Sequence, residues 1–110
     1  MPICIDSNQQ FSYNYRMDDR TREILVITQE ECAEVIQEIS KIFRFGIDNH
    51  HKSGVVHRHK LETEVGDLLA MIDLLYQFGV IDQTNVCSAI EAKNEKLKIW
   101  SNIFKEDSND

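Results

Sequence analysis

The sequence predicts an all-α protein, a helical bundle, and three observations support this fold class. The chain of 110 residues has one proline, at position 2, and only four glycines, so long stretches carry no helix breaker. Between about residues 19 and 104, apolar residues recur at steps of three and four, the period of a helix packed on one face. No segment alternates convincingly with the period of two that a half-buried strand shows. We therefore expect helices packed in one domain, because this length suits a single domain.

The first long helix is predicted over residues 19–45, where apolar residues recur at helical spacing: Ile24, Ile27, Val35, Ile39 and Ile42. Gly46 is a typical residue for the position just after a helix end. An alternative is a break before Thr28, with Thr28 as a new N-cap and Glu31 completing a capping box. Residues 1–18 are polar with interleaved aromatic side chains, and we expect them to form an N-terminal arm.

Two further helices are predicted at about 61–78 and 83–104, after a polar loop over 46–60. The second has apolar positions at Leu61, Val65, Leu68, Leu69, Ile72 and Leu75, and the third at Val86, Ala89, Ile90, Leu97, Trp100, Ile103 and Phe104. The helical domain is thus expected over 19–104, with a flexible tail at 105–110. Because a domain of this size leaves much of its surface exposed to solvent, we expect oligomerisation to complete the bundle.

The composition limits the classes of function. The formal net charge of −7 argues against a nucleic-acid binder, although a bound divalent cation can still attract an anionic small molecule. No apolar run approaches the ~20 residues of a membrane span, and the N-terminus lacks a secretory signal, so a cytoplasmic location is expected. The three cysteines have no pairing pattern, and Cys32 and Cys87 are expected as reduced thiols in the core.

Two acidic pairs are candidates for a metal site: Glu31-x-x-Glu34 and Glu64-x-x-Asp67. Residues three apart lie on one helix face, so each pair points two carboxylates in the same direction. Both pairs are flanked by apolar residues, where an isolated charge is costly unless it is paired, protonated or metal-bound. If the two helices pack face to face, four hard oxygen ligands converge, which suits Mg²⁺ or Mn²⁺.

Other interpretations of the same residues stay open at this point. With 19 acidic residues, about three pairs at this spacing are expected by chance, and the chain would then be a non-catalytic helical interaction module. A cluster of His50, His51, His57 and His59 indicates a mobile polar loop, or a lid that closes over a triphosphate. A third interpretation makes this cluster a transition-metal sensor, but its spacing is not that of a zincin helix and no cysteine lies close enough to complete a zinc set.

The run from Thr28 to Lys41, followed by the run from Glu64 to Asp73, resembles the all-α NTP pyrophosphatase superfamily, specifically its MazG-like members. That pattern is E-E-x-x-E on one helix and E-x-x-D on the next, with a basic residue and an asparagine on the last, similar here to residues 92–96. The resemblance implies hydrolysis of a nucleoside triphosphate to a monophosphate and diphosphate, with Mg²⁺ or Mn²⁺, in a homodimer or homotetramer. One departure is Thr63, where many members have an acid before the second motif.

The resemblance also implies roles for single residues. The expected metal ligands are Glu31, Glu34, Glu64 and Asp67, and the expected phosphate-binding residues are Lys93, Asn94 and Lys96, with Lys41 as a further candidate. One of Glu30, Glu31 and Glu34 would act on the attacking water. The stretch 39–46 looks like compact bacteriophage-type members, which implies a purine deoxynucleotide, dGTP or GTP first, and the host cytoplasm as location. Within the class, the alternative is a housekeeping hydrolase of non-canonical nucleotides.

Overall fold

The structure is a computed structural model that describes residues 17–50 and 52–106, and this part of the chain forms three α-helices. They are α1 (Asp19–Phe45), α2 (His57–Gln77) and α3 (Gln83–Trp100). The described residues contain no strand, only an isolated antiparallel bridge between His50 and Val56, so the predicted all-α class is confirmed. Most of the predicted N-terminal arm (1–16) and the end of the predicted tail (107–110) lie outside the described residues.

Helix α1 has the bounds that the sequence predicts, and it is continuous. Asp18 caps its start by accepting a hydrogen bond from the backbone N–H of Thr21 at 2.7 Å. At its end Gly46 takes a positive φ of 97° and donates its N–H to the carbonyl of Ile42. The alternative break at Thr28 is wrong, because the Thr28 hydroxyl donates back to the carbonyl of Ile24 at 2.7 Å, a bond made inside a helix.

Helix α2 begins at His57, four residues before the predicted start at 61, so the loop is shorter than predicted. Two backbone hydrogen bonds set this start: the N–H of His57 donates to the carbonyl of Asn49 at 3.0 Å, and that of Arg58 to the carbonyl of Ile47 at 2.8 Å. The Arg58 guanidinium also makes two hydrogen bonds to the Asp48 carboxylate, at 2.9 and 3.1 Å. Backbone hydrogen bonds to the preceding loop cannot be predicted from hydrophobic periodicity.

Helices α1 and α2 form an antiparallel hairpin with a narrow core. The buried apolar side chains among the described residues are Ile24 and Leu75, and the buried polar ones are Glu38 and His57. Val65 and Leu69, predicted for the buried side of α2, are exposed. The expected core positions of Cys32 and Cys87 are also wrong, since both thiols are exposed.

Helix α3 has a clear start and end but no buried residue. Asp82 caps its start through the N–H of Asn85, and it ends at Trp100, four residues short of the predicted 104, where Ser101 donates to the Leu97 carbonyl. Of the apolar positions predicted to be in the core, only Val86 and Leu97 are half-buried, and Trp100 is 82% exposed.

In the part of the chain that the structure describes, none of the helices has both the length and the apolarity needed to cross a membrane.

Candidate metal centre

The antiparallel packing of α1 and α2 brings members of both acidic pairs together. Glu31 from α1 and Glu64 and Asp67 from α2 each have a carboxylate oxygen within 4.8 Å of the other two. Glu31 and Glu64 are half-buried, and Asp67 is exposed. The spacing of three on each helix points the acids toward the facing helix, and the hairpin supplies the convergence.

The negative charge of Asp67 and of the neighbouring glutamates raises the pKa of Glu31 and of Glu64. Desolvation raises the pKa of Glu31 most, followed by the negative charges of Asp67, Glu34 and Glu30. The pKa of Glu64 is also raised, by desolvation first and then by Asp67, Glu34 and two further glutamates. Like charges held together in a partly desolvated site favour the uptake of a proton or a cation.

The other two predicted acids of α1 lie around this cluster. Glu34 is half-buried and close enough for its charge to raise the pKa of both Glu31 and Glu64, although the three-residue cluster does not include it. Glu30 is exposed, and its negative charge is the last of the four causes that raise the pKa of Glu31. Glu34 therefore borders the cluster, and Glu30 lies at its periphery.

A further carboxylate, Glu38, was missed by the sequence prediction. It lies one turn beyond Glu34, is 3% exposed, and accepts a hydrogen bond from the Lys41 ammonium at 3.3 Å through its Oε2 atom. Among the described residues its Oε1 atom is buried without a hydrogen-bond partner, and its charge contributes to the raised pKa of Glu64. The only signal in the sequence was its register, since positions 31, 34, 38 and 41 share one face of a helix.

A family model matches most of this chain. The model for the MazG nucleotide pyrophosphohydrolase domain matches residues 20–98, well over half of the chain. The chain belongs to the MazG family. Comparisons with curated proteins and with solved structures give no match. Membership identifies the MazG chain as a hydrolase of the nucleoside triphosphate pyrophosphohydrolase class, and the predicted family is confirmed.

The donor set of this MazG chain fits the metal ion on which the family typically depends. Its oxygens are all carboxylate oxygens, which suit a hard cation, and they repel one another in the absence of a positive charge. The buried Oε1 of Glu38, without a partner among the described residues, adds negative potential at the edge of the same site. A cation there would relieve the unfavourable charge that the raised pKa values of Glu31 and Glu64 record.

The phosphate-binding residues predicted on α3 do not reach this cluster within one MazG chain. Lys93, Asn94 and Lys96 are all exposed, and α3 packs on neither α1 nor α2 to the extent that these two pack on each other. Lys41 differs from them, because α1 places it one turn beyond Glu38. Lys41 is therefore the predicted phosphate-binding residue that the chain itself brings next to the acids.

A cavity of about 350 Å³ follows Lys41 along the hairpin. Its walls are Lys41, Phe45, Asn49, His50, Lys52 and His57. The rings of Phe45 and His57 stack with their centroids 5.7 Å apart and an interplanar angle of 15°. The described part of the histidine-containing loop thus forms one side of a cavity that begins at Lys41.

Proposed function

We propose that this MazG protein hydrolyses a nucleoside triphosphate to the monophosphate and diphosphate with Mg²⁺, and that dGTP or GTP is its preferred substrate. The convergence of Glu31, Glu64 and Asp67 on one side of the α1–α2 hairpin supports this proposal. In the reaction, water adds its oxygen to phosphorus, the bond between the α- and β-phosphates breaks, and diphosphate leaves. The proposed location of this reaction is the cytoplasm of a host cell infected by a bacteriophage.

Glu31, Glu34, Glu64 and Asp67 would hold the Mg²⁺, with Mn²⁺ as a substitute. When bound, the cation supplies positive charge against the phosphate oxygens and orients them. One of Glu30, Glu31 and Glu34 would accept the proton of the attacking water. Lys41, which pairs with the buried Glu38 of α1, would donate a hydrogen bond to a phosphate oxygen.

We also propose that a second copy of the chain covers α3, in a homodimer or homotetramer. Large apolar side chains on and after this helix are exposed: Ile90, Ile99, Trp100, Ile103 and Phe104. An apolar surface of this kind marks an interaction site in a folded protein. Assembly would give α3 the core contacts it lacks and would let Lys93, Asn94 and Lys96 of one copy approach the acids of another. The functional unit would then be the helical domain over 19–104.

The test of the hydrolase assignment is an end-point assay of the purified protein with each of the eight (d)NTPs, with and without Mg²⁺. We expect monophosphate and diphosphate only with the metal, and most product from dGTP or GTP. The variants Glu64→Gln and Asp67→Asn should lower kcat by about a hundredfold or more, because each removes a ligand charge. Thermal unfolding with and without Mg²⁺ should show stabilisation of the parent protein and not of these variants.

The matched control is Glu62→Gln, on the same helix. Glu62 is exposed and pairs with His59 at 3.2 Å, outside the acidic cluster, so this variant should keep activity and Mg²⁺ stabilisation. Equal turnover in all three variants would overturn the assignment of the site. Hydrolysis of non-canonical nucleotides in preference to the eight standard ones would favour the housekeeping role instead. No turnover of any nucleotide, with no Mg²⁺ stabilisation, would favour a helical interaction module.

A further inference from the structure

We infer that Glu38 is a positioning residue of the metal centre: its Oε2 atom fixes the Lys41 ammonium, and its Oε1 atom accepts a hydrogen bond from a water molecule bound to the cation. The inference rests on the proposed function, because it concerns the same cation and the same phosphate-binding lysine. It assigns a role to a carboxylate that lies outside the two acidic pairs.

The burial of Glu38 is the first observation that supports this role. With 3% of its surface exposed, Glu38 is more buried than the apolar residues Ile24 and Leu75, at 6% and 7%. It is the only buried acid among the described residues. Removing a carboxylate from water is costly unless its charge is paired and its oxygens accept hydrogen bonds. The charge of Glu38 must therefore be balanced inside the hairpin.

The described residues balance this charge at one oxygen only. The Lys41 ammonium donates to Oε2 at 3.3 Å, which is long for a charge-assisted hydrogen bond, ordinarily about 2.7–2.9 Å. The Lys41 side chain is 32% exposed, so its positive charge is shared with solvent. Oε1 is buried and has no hydrogen-bond partner among the described residues. A buried acceptor of this kind requires a donor from outside this part of the chain.

The position of Glu38 identifies the acidic cluster as the source of that donor. On α1, Glu31, Glu34 and Glu38 follow one another on one face, toward the facing helix. The negative charge of Glu38 contributes to the raised pKa of Glu64, but it is not among the charges that raise the pKa of Glu31. Glu38 therefore lies on the Glu64 side of the cluster.

The contact with the cation is made through water and not by direct ligation. Carboxylate oxygens of Glu31, Glu64 and Asp67 lie within 4.8 Å of one another, and Glu38 lies outside this group. Mg²⁺ usually keeps several water ligands in a protein site, and a bound cation makes these waters stronger hydrogen-bond donors. Carboxylates commonly accept hydrogen bonds from the ligands of a metal and orient them. Oε1 of Glu38 is the acceptor that this chain offers to such a water.

The other oxygen of Glu38 acts on the phosphates through Lys41. A lysine ammonium on its flexible four-carbon stem has many positions open to it, and an ion pair restricts them. Because Glu38 lies three residues before Lys41, the pair directs the ammonium back along α1, toward the acids. One carboxylate would thus hold both a water of the cation and the ammonium that binds a phosphate oxygen.

The first test measures cation binding in the absence of a nucleotide. Mn²⁺ is titrated into the parent protein and into Glu38→Gln, and free Mn²⁺ is followed by electron paramagnetic resonance. We expect the variant to bind Mn²⁺ about tenfold more weakly, the effect typical of losing a partner of a metal ligand. Urea unfolding of the metal-free variant should show no loss of stability, because glutamine keeps the shape and removes a buried charge while Lys41 stays in contact with solvent.

The matched control is Glu95→Gln, which neutralises a carboxylate in a pair of the same spacing. Glu95 accepts from Lys98 at 3.0 Å on α3, and both side chains are exposed. This control should change neither Mn²⁺ binding nor stability. Parent-like Mn²⁺ binding by Glu38→Gln would overturn the inference. Weaker binding accompanied by a loss of metal-free stability would also overturn it, because the role of Glu38 would then be structural.

The second test is a double-mutant cycle at saturating Mg²⁺ with the α,β-imido analogue of dGTP, which resists hydrolysis. Its Kd is measured for the parent, Glu38→Gln, Lys41→Gln and the double variant. We expect each single variant to weaken binding about tenfold, the size of one charge-assisted hydrogen bond. The double variant should bind no more weakly than Lys41→Gln, because Glu38 acts on the phosphates through this lysine. Additive losses would overturn the inference, and the control Lys98→Gln should bind like the parent.

The two proposals fail in different ways. Turnover by the parent, with unchanged Mn²⁺ and analogue binding in Glu38→Gln, would leave the proposed function standing and remove the inference. Weaker Mn²⁺ binding by Glu38→Gln at full stability, with no turnover of any nucleotide by the parent, would support the position of Glu38 at the cation and remove the proposed function.

Discussion

The negative charge of Asp67 acts on both half-buried glutamates of the cluster, Glu31 and Glu64. After desolvation, it is the largest cause of the raised pKa of Glu31 and of Glu64. We therefore expect Asp67→Asn to lower both pKa values in the metal-free protein, measured by ¹³C NMR titration of the side-chain carboxyls. Asp73→Asn, an exposed acid on the same helix, is the control and should change neither. Unchanged titration of Glu31 and Glu64 in the first variant would contradict the geometry.

The sign of the linked pH dependence follows from these shifts. In the folded chain the pKa of Glu31 and Glu64 lies above the ordinary value of 4.5. Their protonated forms are thus favoured by folding, and this contribution to the metal-free protein is lost as pH rises through the raised values. Cation binding needs the deprotonated forms, so Mg²⁺ affinity should rise over the same pH interval.

The sequence predicted the acids of this site better than it predicted their surroundings. The pattern of two acidic pairs singled out Glu31, Glu64 and Asp67, because spacing on a helix is a local property. The pattern did not identify Glu38, because nothing in the sequence distinguishes a buried glutamate from the other members of the 19 acidic residues. Only the packing of α2 over α1 removes this carboxylate from water.

At the level of elements, Gly46 and Gly66 should respond to alanine in opposite directions. Gly46 ends α1 with φ of 97°, and an added Cβ would lie 2.9 Å from the Asn49 amide nitrogen. We expect Gly46→Ala to lower the free energy of unfolding by about 1–3 kcal/mol. Gly66 lies within α2 with open space around it, so Gly66→Ala should raise the free energy by about 0.5–1 kcal/mol.

Urea unfolding at one fixed protein concentration measures both changes, since an assembling protein depends on concentration. If Gly46→Ala left the free energy of unfolding unchanged, the loop would not need the positive φ at this residue. A destabilising Gly66→Ala would mean that a neighbouring copy covers this part of α2.

Helix ends were predictable where a local cap sets them. Gly46 is a local signal, and α1 ends at the residue before it. The start of α2 was not predictable, because bonds from His57 and Arg58 to the preceding loop set it. The end of α3 was placed too far along the chain, since apolar residues continue to Phe104 although the helix stops at Trp100. Periodicity locates apolar residues, but backbone hydrogen bonds decide where a helix ends.

At the level of the whole molecule, the exposure of Trp100 makes assembly measurable. Trp100 is the only tryptophan and is 82% exposed in the single chain. If a second copy covers α3, its fluorescence emission should be blue-shifted at high protein concentration and should move to the red on dilution. Sedimentation over the same concentrations should show a dimer or tetramer giving way to monomer.

The matched variants place the same negative charge on two sides of α3. Ile90→Asp adds it to an exposed apolar position, and Ser88→Asp adds it to an exposed polar one. The first should favour the monomer at all concentrations, and the second should assemble like the parent. A concentration-independent monomer in the parent protein would remove the proposed oligomer.

The sequence predicted more core than one chain can form. Its apolar stripes on α2 and α3 are present, but Leu69, Ile90 and Trp100 are exposed in the folded chain. Periodicity shows that a helix has an apolar face, but not whether the partner of that face belongs to the same chain.

The closed loop between α1 and α2 has a consequence for the thermodynamics of binding. Its hydrogen bonds and the Asp48–Arg58 pair are made within the free chain, before any ligand arrives. A ligand that enters the cavity would lose its own freedom of motion, but it would not have to order the backbone around it. Preorganisation of this kind lowers the entropic cost of association, so a small cavity can discriminate between similar ligands with few contacts.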